Sequence, residues 1–267
     1  MHQQQRQRMI EETLDRAPVV TVDELAAKLA ASPATIRRDI AAMARDGRLR
    51  RVRGGAEALA ASMVPGLATP SFERTLQAGF HAKRAIAAHA ATLCAPGESI
   101  IVNGGTTTYC MGEHIARLGL QVLTNSFALA TYLTGHGNCR VLLPGGEVHR
   151  EQSLVLSPYE RDTMLDHYYA ARIFTGAMAI RAQGLIEGDP LLIKAEQKLL
   201  HQAEELIVLV DGSKFAPRGS LILCPLSRIG LVITDTSAPP DAVAALHDAG
   251  VRVTVVDTVE GNRDAAA

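Results

Sequence analysis

From Ser99 to Val256 the chain repeats one pattern, and that pattern leaves few folds open. Short apolar runs recur at Ser99–Val102, Gln121–Leu123, Arg140–Leu143, Leu206–Val210, Leu231–Ile233 and Val251–Val256, each closing on small or polar residues. Helix-compatible stretches lie between most of them. Strands of this length alternating with helices form a parallel, doubly wound sheet with helices on its faces. The composition agrees: 47 % of the residues are hydrophobic and only 4 % aromatic, with no Trp, so Ala, Leu and Val carry the core.

Such sheets bind ligands beyond the C-terminal ends of their strands, and there this sequence places its polar groups. The first run leads into Asn103-Gly104-Gly105-Thr106-Thr107-Thr108, just before a predicted helix. Glycines let a backbone approach a ligand, amides at a helix start attract an anion, and the hydroxyls add donors. The chemistry is that of a phosphate cradle, although a plain Gly turn with a Thr cap reads similarly. It is neither a Walker loop nor a GxGxxG fingerprint, which disfavours ATP and dinucleotides. The second run ends in Thr124-Asn125-Ser126, the third in Pro144-Gly145-Gly146-Glu147, and a later one in Asp211-Gly212-Ser213-Lys214. Lys214 and Lys198 are candidate point charges for a phosphate. Asp211 would accept sugar hydroxyls or hold Lys214.

The first sixty residues read differently. Gln3 to Arg16 forms a predicted helix with Met9, Ile10, Thr13 and Leu14 as a partial apolar stripe, and a β-prone run, Val19 to Val22, follows. A second helix starts from Thr21, with Glu24 as its capping-box partner and Val22, Leu25, Ala26 and Leu29 on one face. Ala30-Ala31 turns the chain. Ser32-Pro33 opens a third helix, Ser as N-cap and Pro at the first helical position. Ile36, Ile40 and Met43 would pack inward, leaving Ser32, Ala34, Thr35, Arg37 and Arg38 where side chains reach bases or phosphates. Gly47 ends that helix, and Arg48 to Gly55 reads as a basic hairpin wing. Between Arg37 and Arg53 seven arginines face two acids, a net +5 in a chain whose total is −1. Charge so concentrated points to a polyanion. Thr35, Arg37 and Arg38 are the expected base readers, and Arg50, Arg51 and Arg53 the expected phosphate contacts. A three-helix packing module with a solvated basic edge is the blander alternative.

The string Ser32-Pro33-Ala34-Thr35-Ile36-Arg37-Arg38-Asp39-Ile40, followed by Arg50-Arg51-Val52-Arg53-Gly54-Gly55-Ala56, resembles the signature of the DeoR family of sugar-metabolism repressors. Gly-Gly-Thr-Thr, Thr-Asn-Ser, Gly-Gly and Asp-x-Ser-Lys continue the likeness through nearly all of the chain. The resemblance implies a winged helix-turn-helix at 1–57 and a sensor domain of the sugar-phosphate-isomerase type at 73–260; the Ala-, Ser-, Pro- and Gly-rich stretch between them reads as a linker at 58–72, and 261–267 as a disordered tail. It also implies double-stranded operator DNA and a phosphorylated sugar-like effector as partners. Many members carry Asp-x-Ala-Phe before a strand that leads into a Gly. Here the segment is Tyr169-Ala170-Ala171-Arg172-Ile173-Phe174-Thr175-Gly176, so Arg172 and Thr175 would alter the pocket, with Thr175 and Gly176 as candidate effector contacts. Gln152 to Pro158 and Ala195-Glu196-Gln197-Lys198 resemble the branch of the family that represses L-ascorbate utilisation, which implies L-ascorbate 6-phosphate or a similar sugar-acid phosphate.

No apolar run reaches the roughly 18 residues that cross a bilayer, and no signal-peptide pattern opens the chain, so a cytoplasmic protein without a membrane partner is expected. Cys94, Cys110, Cys139 and Cys224 form no CxxC pair and read as buried reduced thiols. The nine histidines lack metal-binding spacing, so no metal or cofactor is expected. The function expected is a repressor, a homo-oligomer (dimer or tetramer) released from DNA by the effector, and not an enzyme. A sugar-phosphate isomerase or lactone hydrolase using the same pocket is the alternative, with Glu147, Glu187, Asp189 and Glu196 as available bases. A DNA-binding scaffold with a vestigial pocket is the third.

Overall fold

The computed structural model describes residues 2–16, 19–45, 48–57, 72–156 and 167–258. The expected linker lies outside them except for Phe72, as do the tail, Gly47, and Ser157-Pro158. Contacts divide the chain into two units, Met1–Thr69 and Pro70–Ala267.

The first unit holds α1 (Gln3–Arg16), β1 (Val19–Thr21), α2 (Val22–Leu29), α3 (Pro33–Arg45), β2 (Arg50–Val52) and β3 (Gly55–Glu57). The capping box at α2 is formed: Glu24 N donates to Thr21 Oγ1 at 3.2 Å, and Thr21 N donates to Glu24 Oε2 at 2.8 Å. Ser32 Oγ accepts from Thr35 N at 3.2 Å and so caps α3. Ile10, Leu25, Ile36, Ile40 and Met43 fill one core, with Leu49 pinning the hairpin to it. The three strands form an antiparallel sheet in the order β1-β3-β2. The hairpin is β2–β3 rather than Arg48 to Gly55, because Gly54, at φ +82°, makes the turn. Gly55 is required: a Cβ there would collide with the carbonyl oxygen of Val20 across the sheet.

The second unit begins with α4 (Phe72–Gln77) and α5 (Phe80–Ala91), separated at Gly79, whose φ is +66°. Next come β4 (Ser99–Val102), the single-turn helices α6 (Thr106–Tyr109) and α7 (Gly112–Ile115), β5 (Gln121–Leu123), α8 (Phe127–His136) and β6 (Arg140–Leu142). A hairpin, β7 (Glu147–His149) and β8 (Leu154–Leu156), precedes β9 (Ala170–Thr175), β10 (Ala179–Arg181), β11 (Gly184–Glu187), α9 (Pro190–Leu200) and β12 (Ala203–Leu209). The chain continues through β13 (Leu221–Cys224), β14 (Leu231–Asp235), α10 (Pro240–Asp248) and β15 (Arg252–Val256).

Seven strands form one sheet in the order β15-β14-β12-β9-β4-β5-β6, every neighbouring pair parallel. Each of the six predicted runs is in it, and β9 is the seventh, at its centre. Alternate residues feed opposite faces: Ile100, Val102 and Phe174 pack with α5, α7 and α8, while Ile101, Ile173 and Val208 pack with α9 and α10. A small antiparallel sheet, β10-β11-β13, lies outside the predicted pattern and adds Leu185 and Leu223 to the second face. The four cysteines are free thiols, three of them buried. Burial raises Cys94 to about 12 and Cys110 and Cys224 to about 11, and it raises Cys139 as well. Among the described residues no helix is long and apolar enough to cross a membrane.

Candidate nucleic-acid interface and effector crevice

On α3, Ser32, Ala34, Arg37 and Arg38 are exposed and Thr35 is half-buried, as the periodicity predicts. Arg37 from α3 and Arg51 and Arg53 from the hairpin line one cleft of about 430 Å³, floored by Val22, Ile40 and Val52. Among the described residues these three and Arg38 have no ion-pair partner. Arg50, also exposed, pairs across the hairpin, its Nε donating to Glu57 Oε2 at 2.9 Å. Arg48 is likewise held by Glu11 at 2.8 Å. Asp39, in the middle of the motif, is buried and accepts from Arg6 Nε at 2.8 Å, tying α3 to α1.

In the second unit β4, β5 and β6 step outward one way, and β9, β12, β14 and β15 the other. The reversal falls between β4 and β9, where an open α/β sheet leaves its crevice. Asn103 and Thr175 end those two strands, both fully buried, and Asn103 Nδ2 donates to Thr175 Oγ1 at 2.9 Å. Gly104 N donates to Asn125 Oδ1 at 2.6 Å, binding the end of β4 to that of β5. The space a Cβ on Gly104 would need is taken by Leu154 of β8, so this glycine serves the protein's own packing. Gly105, at φ +153°, starts α6, and Thr106, Thr107 and Thr108 are buried there. The helix expected after them is a single turn.

Some predicted residues also hold the fold together. Thr124 Oγ1 accepts from Ser126 N, and Ser126 Oγ accepts from Leu129 N at 3.2 Å, which caps α8. Gly145, Gly146 and Glu147 are exposed at the turn into β7. Arg172 points to the opposite end of the sheet, bonded to Glu98 before β4 at 2.5 Å, and does not shape the pocket. Lys198 lies two positions from Glu196 on α9, about 200° around the helix, so it leaves the crevice face. Gly176 follows Thr175, and its carbonyl accepts that hydroxyl at 3.2 Å.

Three further charged residues are buried in this unit, Lys83, Glu187 and Glu196, of which the sequence offers the two glutamates as available bases and Lys83 not at all. Lys83 of α5 is 2 % exposed; its Nζ donates to Thr75 O at 2.6 Å and to Ala78 O, holding the end of α4. Burial pushes its ammonium down, opposed by the charge of Asp211, while Lys214 adds to the lowering. Asp211 is buried and accepts from Ser213 N at 2.9 Å. Glu187, at the end of β11, accepts from Met178 N at 3.2 Å and Gly188 N at 3.3 Å. Burial raises its carboxyl, those amides and Lys214 drawing it back. Glu196 is fully enclosed. Burial lifts it well above the ordinary carboxylate range, the charge of Glu187 adds to that, and a hydrogen bond from Asn103 opposes it. Lys214 therefore acts on both Lys83 and Glu187, and the two buried carboxyls, Glu187 and Glu196, act on one another.

Residues 6–61 match the DeoR-like helix-turn-helix domain and residues 80–236 the DeoR C terminal sensor domain. Proteins named HTH-type transcriptional regulator UlaR, from Shigella dysenteriae and Escherichia coli K12, are 34 % identical over 254 residues, 95 % of this chain and 99 % of theirs. Among solved structures, ribose 5-phosphate isomerase A from Methanocaldococcus jannaschii aligns over 52 % of this chain and 55 % of its own, at 21 % identity and a TM-score of 0.39. The eIF2B beta subunit of Chaetomium thermophilum aligns over 60 % and 50 %, at 18 % identity and a TM-score of 0.40.

Proposed function

The chain belongs to the DeoR family and is a transcriptional regulator of the UlaR type; from that premise we propose that it represses a sugar or sugar-acid catabolic operon. A phosphorylated metabolite releases it from its operator, L-ascorbate 6-phosphate being the first candidate. What supports the sensing half is the crevice at the β4–β9 reversal, with the buried Asn103 and Thr175 at its strand ends and Asp211 and Lys214 just after β12. Lys214 takes the phosphate as a point charge. The DNA half is supported by the helix–hairpin cleft, whose Arg37, Arg51 and Arg53 stand ready for the duplex. A homo-oligomer, dimer or tetramer, docks two or more winged helices on half-sites. The effector releases DNA only as far as it binds the two states of the protein differently.

Fluorescence anisotropy of DNA from the gene's upstream region, at fixed salt, tests this. Micromolar L-ascorbate 6-phosphate or a related sugar-acid phosphate is expected to release the complex. DNA binding that no phosphate alters refutes the sensing reading. Arg37→Ala or Arg38→Ala is expected to cost roughly 1–3 kcal/mol of operator affinity where the side chain reads a base, while Arg51→Ala and Arg53→Ala weaken all sequences alike and reduce the salt slope by about 1 each.

One observation favours a second reading. Glu187 and Glu196 are buried carboxyls with raised pKa values, the environment given to a general base, as an isomerase or lactone hydrolase would need. Turnover of sugar phosphates by the purified chain supports that reading; its loss in Glu196→Gln locates the base.

A further inference from the structure

Helix α4 is the first element of the second unit, and Phe72, where the expected linker ends, begins it. It has six residues, none of them buried. A helix shorter than about 12–15 residues is marginal in water by itself, so what keeps α4 in place is its seat. Phe72 N donates to Glu151 O at 2.8 Å, in the turn of the β7–β8 hairpin. The Phe72 ring meets the Tyr109 ring edge-on, with centroids 5.3 Å apart and planes at 89°. At the other end Lys83 Nζ donates to Thr75 O at 2.6 Å and to Ala78 O.

Each attachment leads back to the crevice. Tyr109 closes α6, the turn that Gly105 opens beyond β4, and its N donates to Gly105 O at 3.0 Å. The β7–β8 hairpin carries Leu154, which fills the space over Gly104. Lys83 is 2 % exposed, and its ammonium feels the charges of Asp211 and Lys214 beyond β12. Withdrawing α4 would take two acceptors from that buried ammonium, and an unpaired buried donor carries its full desolvation cost. Partial displacement is therefore disfavoured, and α4 is either seated or released. Few buried contacts and two discrete positions are the marks of an element that switches.

We propose that α4 is the relay between the crevice and the linker: effector shifts α6 and the β7–β8 hairpin, Phe72 leaves its seat, and the start of the second unit is freed. The proposal rests on the reading of the crevice as an effector site. The effector favours the released state because it binds that state more tightly, and Phe72 acts as a positioning residue that holds the seated one.

Phe72→Ala in the full chain tests it, with L-ascorbate 6-phosphate, D-glucose 6-phosphate and 6-phospho-D-gluconate as probes and DNA from the gene's upstream region. Removing the ring is expected to weaken DNA binding without any ligand and, by linkage, to tighten the sugar phosphate that binds by roughly threefold or more. Structural damage would weaken both. Phe72→Tyr, which keeps the ring, is expected to behave as wild type. In the wild type, the same ligand is expected to speed hydrogen exchange of the α4 amides by about fivefold or more. If Phe72→Ala leaves both affinities and the ligand's effect on DNA unchanged, or loses both kinds of binding, the relay is overturned while the sensing reading stands. Unaltered exchange at α4 overturns it too. If none of the three phosphates changes DNA binding by the wild type, the sensing reading falls, and the relay with it.

Discussion

Glu196 sits on α9 four residues after Leu192 and three and four before Leu199 and Leu200, all buried. That spacing places a carboxyl on the apolar face of a helix, which the sequence displays, yet a single Glu among Lys194, Gln197 and Lys198 reads as solvated. Lys83 repeats the case, three residues before Ile86 and seven before Ala90. Polar residues at core positions of a helical period are the legible signal for both; the sequence offers Glu196 as one of four available bases without singling it out, and gives Lys83 no role. Glu196 also gives a pH dependence. Its folded pKa, and that of Glu187, are raised chiefly by burial. The folded state therefore holds more protons than the unfolded chain, so stability is full below the ordinary carboxylate range and falls as pH rises through the raised values. Urea midpoints of the second unit are expected to decline over that window, and in Glu196→Gln the decline should be shallower. A midpoint independent of pH in the wild type would contradict the burial of both groups.

At the scale of elements, the first unit was legible almost residue by residue, because caps announce helices locally: Thr21, Glu24, Ser32 and Pro33 act within one turn of where they stand. The parallel sheet was legible through its apolar runs. β9 was harder, since Ala170-Ala171-Arg172 opens it without an apolar residue of any size and only Ile173-Phe174 declares a strand. The sheet β10-β11-β13 was missed because its strands are three or four residues long and break the β–α alternation. Gly104 was read as room for a ligand, but the room is occupied by Leu154, which only the fold brings there. Gly104→Ala should thus destabilise the second unit by about 1–3 kcal/mol through overpacking. Combined with Leu154→Ala, it should cost less than the two single changes summed. Additive effects in that cycle would mean that Leu154 does not lie over Gly104.

For the molecule as a whole, the cores belong to one unit or the other: Ile36, Ile40 and Met43 to the first, Ile100, Phe174 and Val208 to the second. Separate cores predict separate cooperative transitions. Ile40→Ala, at about 2–5 kcal/mol, should shift only one calorimetric peak, and Phe174→Ala, at about 3–5 kcal/mol, only the other. A single peak displaced by both would mean that the units unfold together.

The burial of the thiols has a practical side. Cys110 and Cys224, raised to about 11, are ionised at neutral pH to only about one part in ten thousand, and a thiol reacts through its thiolate. Cys94, raised further to about 12, is more inert still. These three thiols thus offer a maleimide or iodoacetamide almost nothing to attack, which leaves the half-buried Cys139 as the native thiol to replace. With Cys139 replaced by Ser, a cysteine placed at exposed Ala34 or Gly145 would be labelled against a nearly blank background, and a fluorophore there would report on the DNA helix or the crevice loop.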